Sequence, residues 1–313
     1  MLRWNNVQRV SGQLWSWVMR QQHKWLVRLS LPAIERLATV GWCAASLFSV
    51  RVRWSGILRY ESRYEVVQLA RADVLNTMTG GTLEKLIDKR MHLGRQLRPR
   101  EKWPDLQAAA GMLVDRIGQM RRAHPERPVI VAPFHYVSQY ANIYLIDELR
   151  VALGLESISV VSGVPRDLYG DDAALIPGVR VLYTYGDDNR NALGLRVIRS
   201  LKRDGVAVLF ADVPPFSLHR FPMETVSVQI LGHPSRIHNG VFRIGAQVDG
   251  ILLPFYLRFT RGRFGIHIFE PIPLADEDAP QRVADCIGHA LSDNYPRWIM
   301  AGHPSVYSFS SSR

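Results

Sequence analysis

The chain has 313 residues, 47% of them hydrophobic and 21% charged, with a net charge of +11. That composition supports a sizeable core and excludes wholesale disorder, collagen-like repeats and a polytopic membrane protein; the length fits one large α/β domain or two modest ones. The only two cysteines, Cys43 and Cys286, are far apart and lack metal-ligand spacing, which argues against a disulfide framework or structural zinc site and for a reducing compartment.

The charge is uneven along the chain. Residues 1–128 hold 22 Lys and Arg against 10 Asp and Glu, and residues 129–313 hold 17 against 18. A basic arm suits nucleic acid or an anionic membrane surface, and the company the charges keep decides between them. Between Leu14 and Trp54, Trp15, Trp17, Trp25, Trp42 and Trp54 alternate with Arg20, Lys24, Arg28, Arg36, Arg51 and Arg53. Tryptophan beside cations is favoured in the headgroup layer of a bilayer. The longest uncharged run, Leu37 to Val50, is 14 residues, short of the roughly 20 that span a bilayer. The expectation is therefore an interfacial helix that dips into one leaflet through residues 14–54, with a single tilted span as the lesser alternative and a helix buried on the protein's own core as the third. The run starts late, follows many charges and has no small-x-small cleavage site, unlike a signal peptide. No DNA- or RNA-reading motif accompanies the charge, so nucleic acid is not an expected partner.

Residues 57–122 read as amphipathic helices, punctuated at Gly80-Gly81 and around Arg98-Pro99-Arg100. At His124-Pro125-Glu126-Arg127-Pro128 the character changes. PVIVAPF, SISVVSG, VRVLYTYG and VAVLFADV then read as strands, with helices near 139–153 and over NALGLRVIRSLKRDG. TVSVQILG, GILLPFYLRF and FGIHIFEPI follow as further strands, with a helix near 238–247 among them and PQRVADCIGHALSDNY as a terminal helix. Strands alternating with helices predict an α/β fold with a mixed central sheet flanked by helices, antiparallel in its later part. Three regions are expected: basic, aromatic membrane-anchoring helices over 1–56, a helical region packing on the core over 57–124, and an α/β domain over 125–313.

The sharpest local feature is Pro133-Phe134-His135-Tyr136-Val137-Ser138-Gln139-Tyr140, where a buried strand ends on His135 and a helix begins. Ligands gather at the carboxyl ends of strands in open α/β sheets, and a histidine there can take a proton from an attacking hydroxyl; a helix-capping histidine is the structural alternative. VAVLFADVPPF likewise delivers Asp212 at a strand end, to orient a base, hold a substrate hydroxyl, or cap a turn. LGHPSR is expected to lead into a helix near Ile237-His238-Asn239-Gly240, whose N-terminus suits an anionic headgroup. Arg190, Arg236 and Arg243 are the candidate phosphate or sugar contacts, each with a solvated surface arginine as its alternative. The sequence has no G-x-G-x-x-G, Walker A or H-E-x-x-H motif, no G-x-S-x-G elbow around Ser138, and no metal-ligand spacing among its histidines, so neither a metal nor a cofactor is expected.

Taken in order, these blocks resemble the late (secondary) acyltransferases of lipid A biosynthesis, within the lysophospholipid acyltransferase superfamily. The resemblance runs from about residue 127 to the end through PVIVAPFHYVSQY, Asp188-Asn189-Arg190 before LGLRVIRSLKRDGVAVLFADV, ILGHPSRIHNGVFRIGAQVDGILLPFYLR, and the closing NYPRWIMAGH. It implies a glycerolipid acyltransferase-like fold that moves a fatty acyl chain from acyl carrier protein or acyl-CoA to a hydroxyl of a lipid A-like glycolipid or lysophospholipid. The implied place is the cytoplasmic face of a bacterial inner membrane, in lipopolysaccharide synthesis. His135 would be the general base. Arg190 or backbone N–H groups would stabilise the oxyanion, and Arg236 and Arg243 would hold the acceptor, with Ser138, Gln139 and His238 as further substrate contacts. The chain departs from the family where its H-x4-D/E motif carries Tyr140 in place of the acid. A tyrosine hydroxyl accepts the same hydrogen bond without the charge, so either Asp212 supplies the charge or catalysis is slow or absent. The Thr of the family's later block reads here as Arg236 or His238. These departures leave two alternatives open: acylation of the lipid terminus of an exported polysaccharide, and a lipid-binding pseudoenzyme.

Overall fold

The computed structural model describes residues 21, 23–65, 73–162, 176–183, 193–215 and 224–302. The helices α1 (Leu31–Phe48), α2 (Val50–Glu61), α3 (Asp73–Leu97) and α4 (Pro104–Ala123) precede the first strand. Then come β1 (Val129–Pro133), α5 (Gln139–Ala152), β2 (Ile158–Ser162), β3 (Val179–Tyr183), α6 (Leu193–Asp204) and β4 (Val206–Leu209). The remainder is β5 (Thr225–Ile230), β6 (His233–His238), α7 (Gly240–Gln247), β7 (Ile251–Thr260), β8 (Arg263–Ile268), β9 (Ile272–Pro273) and α8 (Ala279–Asn294).

The main sheet runs β3-β2-β4-β1-β7-β8, with β9 also on β7. From β3 to β7 all pairs are parallel, and β8 and β9 are antiparallel to β7. The expected mixed α/β sheet is thus present, with its antiparallel part late in the chain. Every residue of β1 is buried, and the first seven of β7 are too, because both strands are interior and covered on both faces.

One segment departs from the sequence reading. HPSRIH is strand β6, not the approach to a helix: it pairs antiparallel with β5 in a separate two-stranded sheet, and the helix starts only at Gly240. Ile230 pairs with His233, leaving Leu231 and Gly232 as a two-residue turn with φ of 51° and 79°. Positive φ at both positions matches the right-handed twist of a tight hairpin. The β7–β8 hairpin uses the same device at Arg261 and Gly262.

The N-terminal helices are fastened to this body. Ile34, Ala38 and Trp42 of α1 are buried. Glu35 accepts from the Gly262 backbone N–H at 2.9 Å and pairs with Arg297 at 3.1 Å, tying α1 to the β7–β8 turn and to the C-terminal segment. One face of α1 thus belongs to the core. Among the described residues no helix is long and apolar enough to cross a membrane; residues 14–20 and 22 of the expected anchor lie outside them. The opposite face of these helices remains apolar and open. Val40, Leu47, Val50, Trp54 and Leu58 are exposed, and Phe48 at the α1–α2 elbow is 90% exposed, with Arg36, Arg51 and Arg53 exposed around them.

Candidate active site

The register of the two central strands builds the site. Val129 pairs with Val206, Ile130 with Ala207 and Val131 with Val208. Extending that offset past the strand ends brings His135 opposite Asp212, 77 residues later. There Asp212, 1% exposed, makes two bonds: Oδ1 to His135 Nδ1 at 2.7 Å, and Oδ2 accepting the His135 backbone N–H at 2.7 Å. The carboxylate fixes both the position of the residue and the tautomer of its ring. A ring donating from Nδ1 keeps the Nε2 lone pair for a proton. The Phe210 ring lies against the imidazole, with centroids 4.5 Å apart.

The turn that carries His135 is held from several sides. Val137 has φ of 70°, a left-handed conformation that costs a β-branched residue about 1–3 kcal/mol. It persists because the C-terminal segment pairs with the turn. Val137 N–H donates to Arg297 O at 2.7 Å, Ile299 N–H donates to His135 O at 2.9 Å, and Tyr136 bridges Trp298. This gives the closing NYPRWI a physical role as the strap across the site. Arg59 of α2, 8% exposed, holds that strap from behind, donating to the carbonyls of Thr77, Trp298, Ile299 and Ala301.

On the α5 side, Ser138 caps the helix by accepting from Ala141 N–H at 3.0 Å and donates its own hydroxyl proton to Asp88 of α3. Asp88 also accepts the Tyr140 backbone N–H at 3.1 Å. Glu84 lies one helical turn before Asp88, and neither acid was among the residues expected from sequence. Burial pushes the Glu84 carboxyl up to about 7, with the Asp88 charge adding to the effect and Arg59, Lys85 and His135 opposing it. Burial also raises Asp88, against the lowering from its Ser138 and Tyr140 hydrogen bonds.

A raised carboxyl carries a sign for stability. Glu84 binds its proton more tightly folded than unfolded, so its contribution is fully present below its ordinary value of 4.5 and is lost as pH rises through about 7. The loss is about 3 kcal/mol. Urea unfolding at pH 5 and pH 8 is expected to show this drop, and Glu84→Gln is expected to reduce it by that amount.

The other expected residues divide clearly. Tyr140 is the second residue of α5, its ring 5.2 Å from that of His92, and the carboxylate bonded to His135 is that of Asp212. Ser138 works as the cap and as the link to α3, and Gln139 opens α5, partly buried. Arg236 is on β6 rather than at a helix N-terminus, donating to Thr225 Oγ1 at 2.7 Å and Ser227 Oγ at 3.2 Å, so it holds its own hairpin together. Arg243 pairs with Glu224 at 2.6 Å on the surface. His238 keeps both ring nitrogens buried without a hydrogen-bond partner among the described residues, and burial lowers its pKa. Arg190 lies outside the described residues, as does His303. Among the described residues no group of three or more His, Cys, Asp or Glu is arranged to hold a metal ion.

The geometry amounts to a buried His–Asp pair at the carboxyl ends of adjacent parallel strands, of the kind that withdraws a proton from a hydroxyl. In comparisons with known proteins, no family model and no curated protein matches the chain.

Proposed function

We propose that the protein is a membrane-surface O-acyltransferase that moves a fatty acyl chain from acyl carrier protein or acyl-CoA to a lipid hydroxyl. The observation that carries this reading is the two-point bond of Asp212 to His135. His135 Nε2 takes the proton of the acceptor hydroxyl while its oxygen forms a bond to the thioester carbonyl carbon. The C–S bond then breaks, and the proton passes to the departing sulfur. Asp212 stabilises the imidazolium between those steps. The resemblance of the ordered blocks to lipid A late acyltransferases points to a lipid A-like glycolipid as the acceptor, at the cytoplasmic face of a bacterial inner membrane.

The exposed elbow between α1 and α2 supports the membrane part. Leu47, Phe48, Val50 and Trp54 would enter the acyl boundary, while Arg36, Arg51 and Arg53 meet anionic headgroups at about 1 kcal/mol each. Phe48→Glu removes a large apolar contact and adds a like charge to an anionic surface. Binding to vesicles containing phosphatidylglycerol is expected to fall at least about tenfold, with folding unaffected. Lipid extracts of cells with and without the protein, compared by mass spectrometry, test the function itself. A glycolipid one acyl chain heavier only when the protein is present supports it. An acylated polysaccharide lipid instead would move the acceptor, and unchanged lipids would remove the proposal.

A further inference from the structure

His135 stands in the first of two tight turns in succession. The Tyr136 N–H donates to Phe134 O at 2.8 Å and the Ser138 N–H donates to Tyr136 O at 2.8 Å, so His135 and then Val137 each form the centre of a three-residue turn. With φ of 70° at its centre, the second is the rare, strained kind of γ-turn. Such a turn keeps its shape only where its surroundings hold it. The entry is held by the sheet, through the Phe134 N–H to Phe255 O at 2.8 Å, and by Asp212 on His135. The strap holds the middle, through the Val137 N–H and His135 O. The exit is Ser138, and Asp88 holds it from another helix. One oxygen of that carboxylate, Oδ1, accepts both the Ser138 hydroxyl and the Tyr140 N–H, the latter at 3.1 Å.

We infer that Asp88 is a positioning residue for His135: by fixing the exit of the strained turn it keeps the imidazole on Asp212 and its Nε2 in line with the reacting hydroxyl. For the reaction served, this rests on the acyl-transfer reading. The helix that carries Asp88 is itself fixed on both sides of it. Two turns earlier, a Cβ at Gly80 would stand 2.5 Å from Pro296 O and 2.7 Å from an Arg59 nitrogen, so the backbone of α3 rests on the strap and on Arg59. One turn later, Met91 O accepts the Tyr144 hydroxyl of α5 at 3.2 Å. From within α5, Asn142 donates to Tyr136 O and Ser138 O at 3.0 and 2.9 Å, so Ser138 and the turn move together. Releasing Ser138 from Asp88 lets Val137 relax out of its left-handed conformation, and His135, two residues before it, is carried along. A displacement of about 1 Å in a catalytic group costs up to about a hundredfold in rate.

Two variants separate this role from simple capping of α5. Asp88→Ala removes the acceptor, whereas Asp88→Asn keeps one oxygen for both donors. In the acyl-transfer assay, run below the melting temperature of every variant, Asp88→Ala is expected to lower kcat about 10- to 100-fold with KM changed less than about threefold. Asp88→Asn is expected to bring kcat back to within about threefold of the unmodified protein. A carboxylate that only capped the helix would lower the melting temperature and leave kcat of the folded protein alone. NMR of the protein with isotopic nitrogen in its histidines reads the geometry without turnover. The His135 backbone amide, bonded to Asp212 and assigned by its loss in His135→Gln, is expected to shift in Asp88→Ala and to return in Asp88→Asn. An amide unmoved in Asp88→Ala, a kcat unchanged by it, or an Asp88→Asn as impaired as Asp88→Ala overturns the inference. Should Asp88→Ala fail to fold, Ser138→Ala carries the same two measurements, since it removes one of the two bonds to Asp88. Should no protein transfer acyl groups, the acyl-transfer reading falls, and the His135 amide alone decides whether Asp88 sets the place of that residue.

Discussion

Asp212→Asn is expected to lower kcat/KM by about 10³- to 10⁴-fold while the sheet stays folded. The amide is the same size and its oxygen can still accept the His135 backbone N–H, so the turn keeps its place. The loss is in the ring. An amide nitrogen facing Nδ1 donates to it, which drives the imidazole proton to Nε2, the atom that has to receive the hydroxyl proton. The imidazolium also loses its hydrogen-bonded carboxylate partner. Steady-state kinetics with circular dichroism on the same samples check this. A loss below about tenfold with an intact fold would mean that His135 does not work through Asp212. Tyr140→Phe, by contrast, is expected to change the rate by less than about tenfold, because the acid role belongs to Asp212.

Arg59→Ala is expected to have the largest effect on stability, about 3–5 kcal/mol by urea unfolding. The guanidinium, only 8% exposed, satisfies backbone carbonyls of Thr77, Trp298, Ile299 and Ala301. Its removal leaves buried acceptors bare and Glu84 without its nearby cation. Arg59→Lys is expected to recover part of the loss, since a single ammonium cannot span carbonyls on α3 and on the strap together. Activity should fall with stability in both variants, because the strap pairs with the backbone of His135. A loss under about 1 kcal/mol for Arg59→Ala would show that the strap is held elsewhere.

Much of this was legible in the sequence because it is local. VIVAP and VAVL are short and wholly apolar, with His135 and Asp212 following shortly after their ends, and the helices between them have clear period and boundaries. The late antiparallel strands also followed from their adjacency. The β5–β6 hairpin was missed because its turn is Leu231-Gly232, not the Asn-Gly or Asp-Gly that announces positive φ at both positions, and because Pro234 reads as a strand breaker. Pro234 is tolerated here because the hairpin is two-stranded, with a free edge for a residue that cannot donate.

The site divides in the same way. His135 and Asp212 each mark the end of a strand, and only the parallel pairing of β1 with β4 brings them together. Glu84, Asp88 and Arg59 gave no such mark. Arg59 lies in a stretch read only as amphipathic helix, with nothing to mark it as internal, as does Arg90, which grips Glu101 through two bonds of 3.0 and 2.6 Å. Glu84 and Asp88 have the spacing of an ordinary helix ion ladder with their neighbouring lysines. The role of Asp88 comes from its hydrogen bonds to Ser138 and to the Tyr140 N–H some 50 residues away, which no local pattern encodes.

Transfer of radiolabel from acylated carrier protein to membrane lipids by the detergent-purified protein, run beside His135→Ala, tests the central claim most directly. Label is expected to appear in a glycolipid with the unmodified protein and to be lost with His135→Ala. Equal transfer by both proteins would remove His135 from the mechanism, and no transfer by either across several chain lengths, with fold and lipid binding intact, would contradict the acyltransferase assignment.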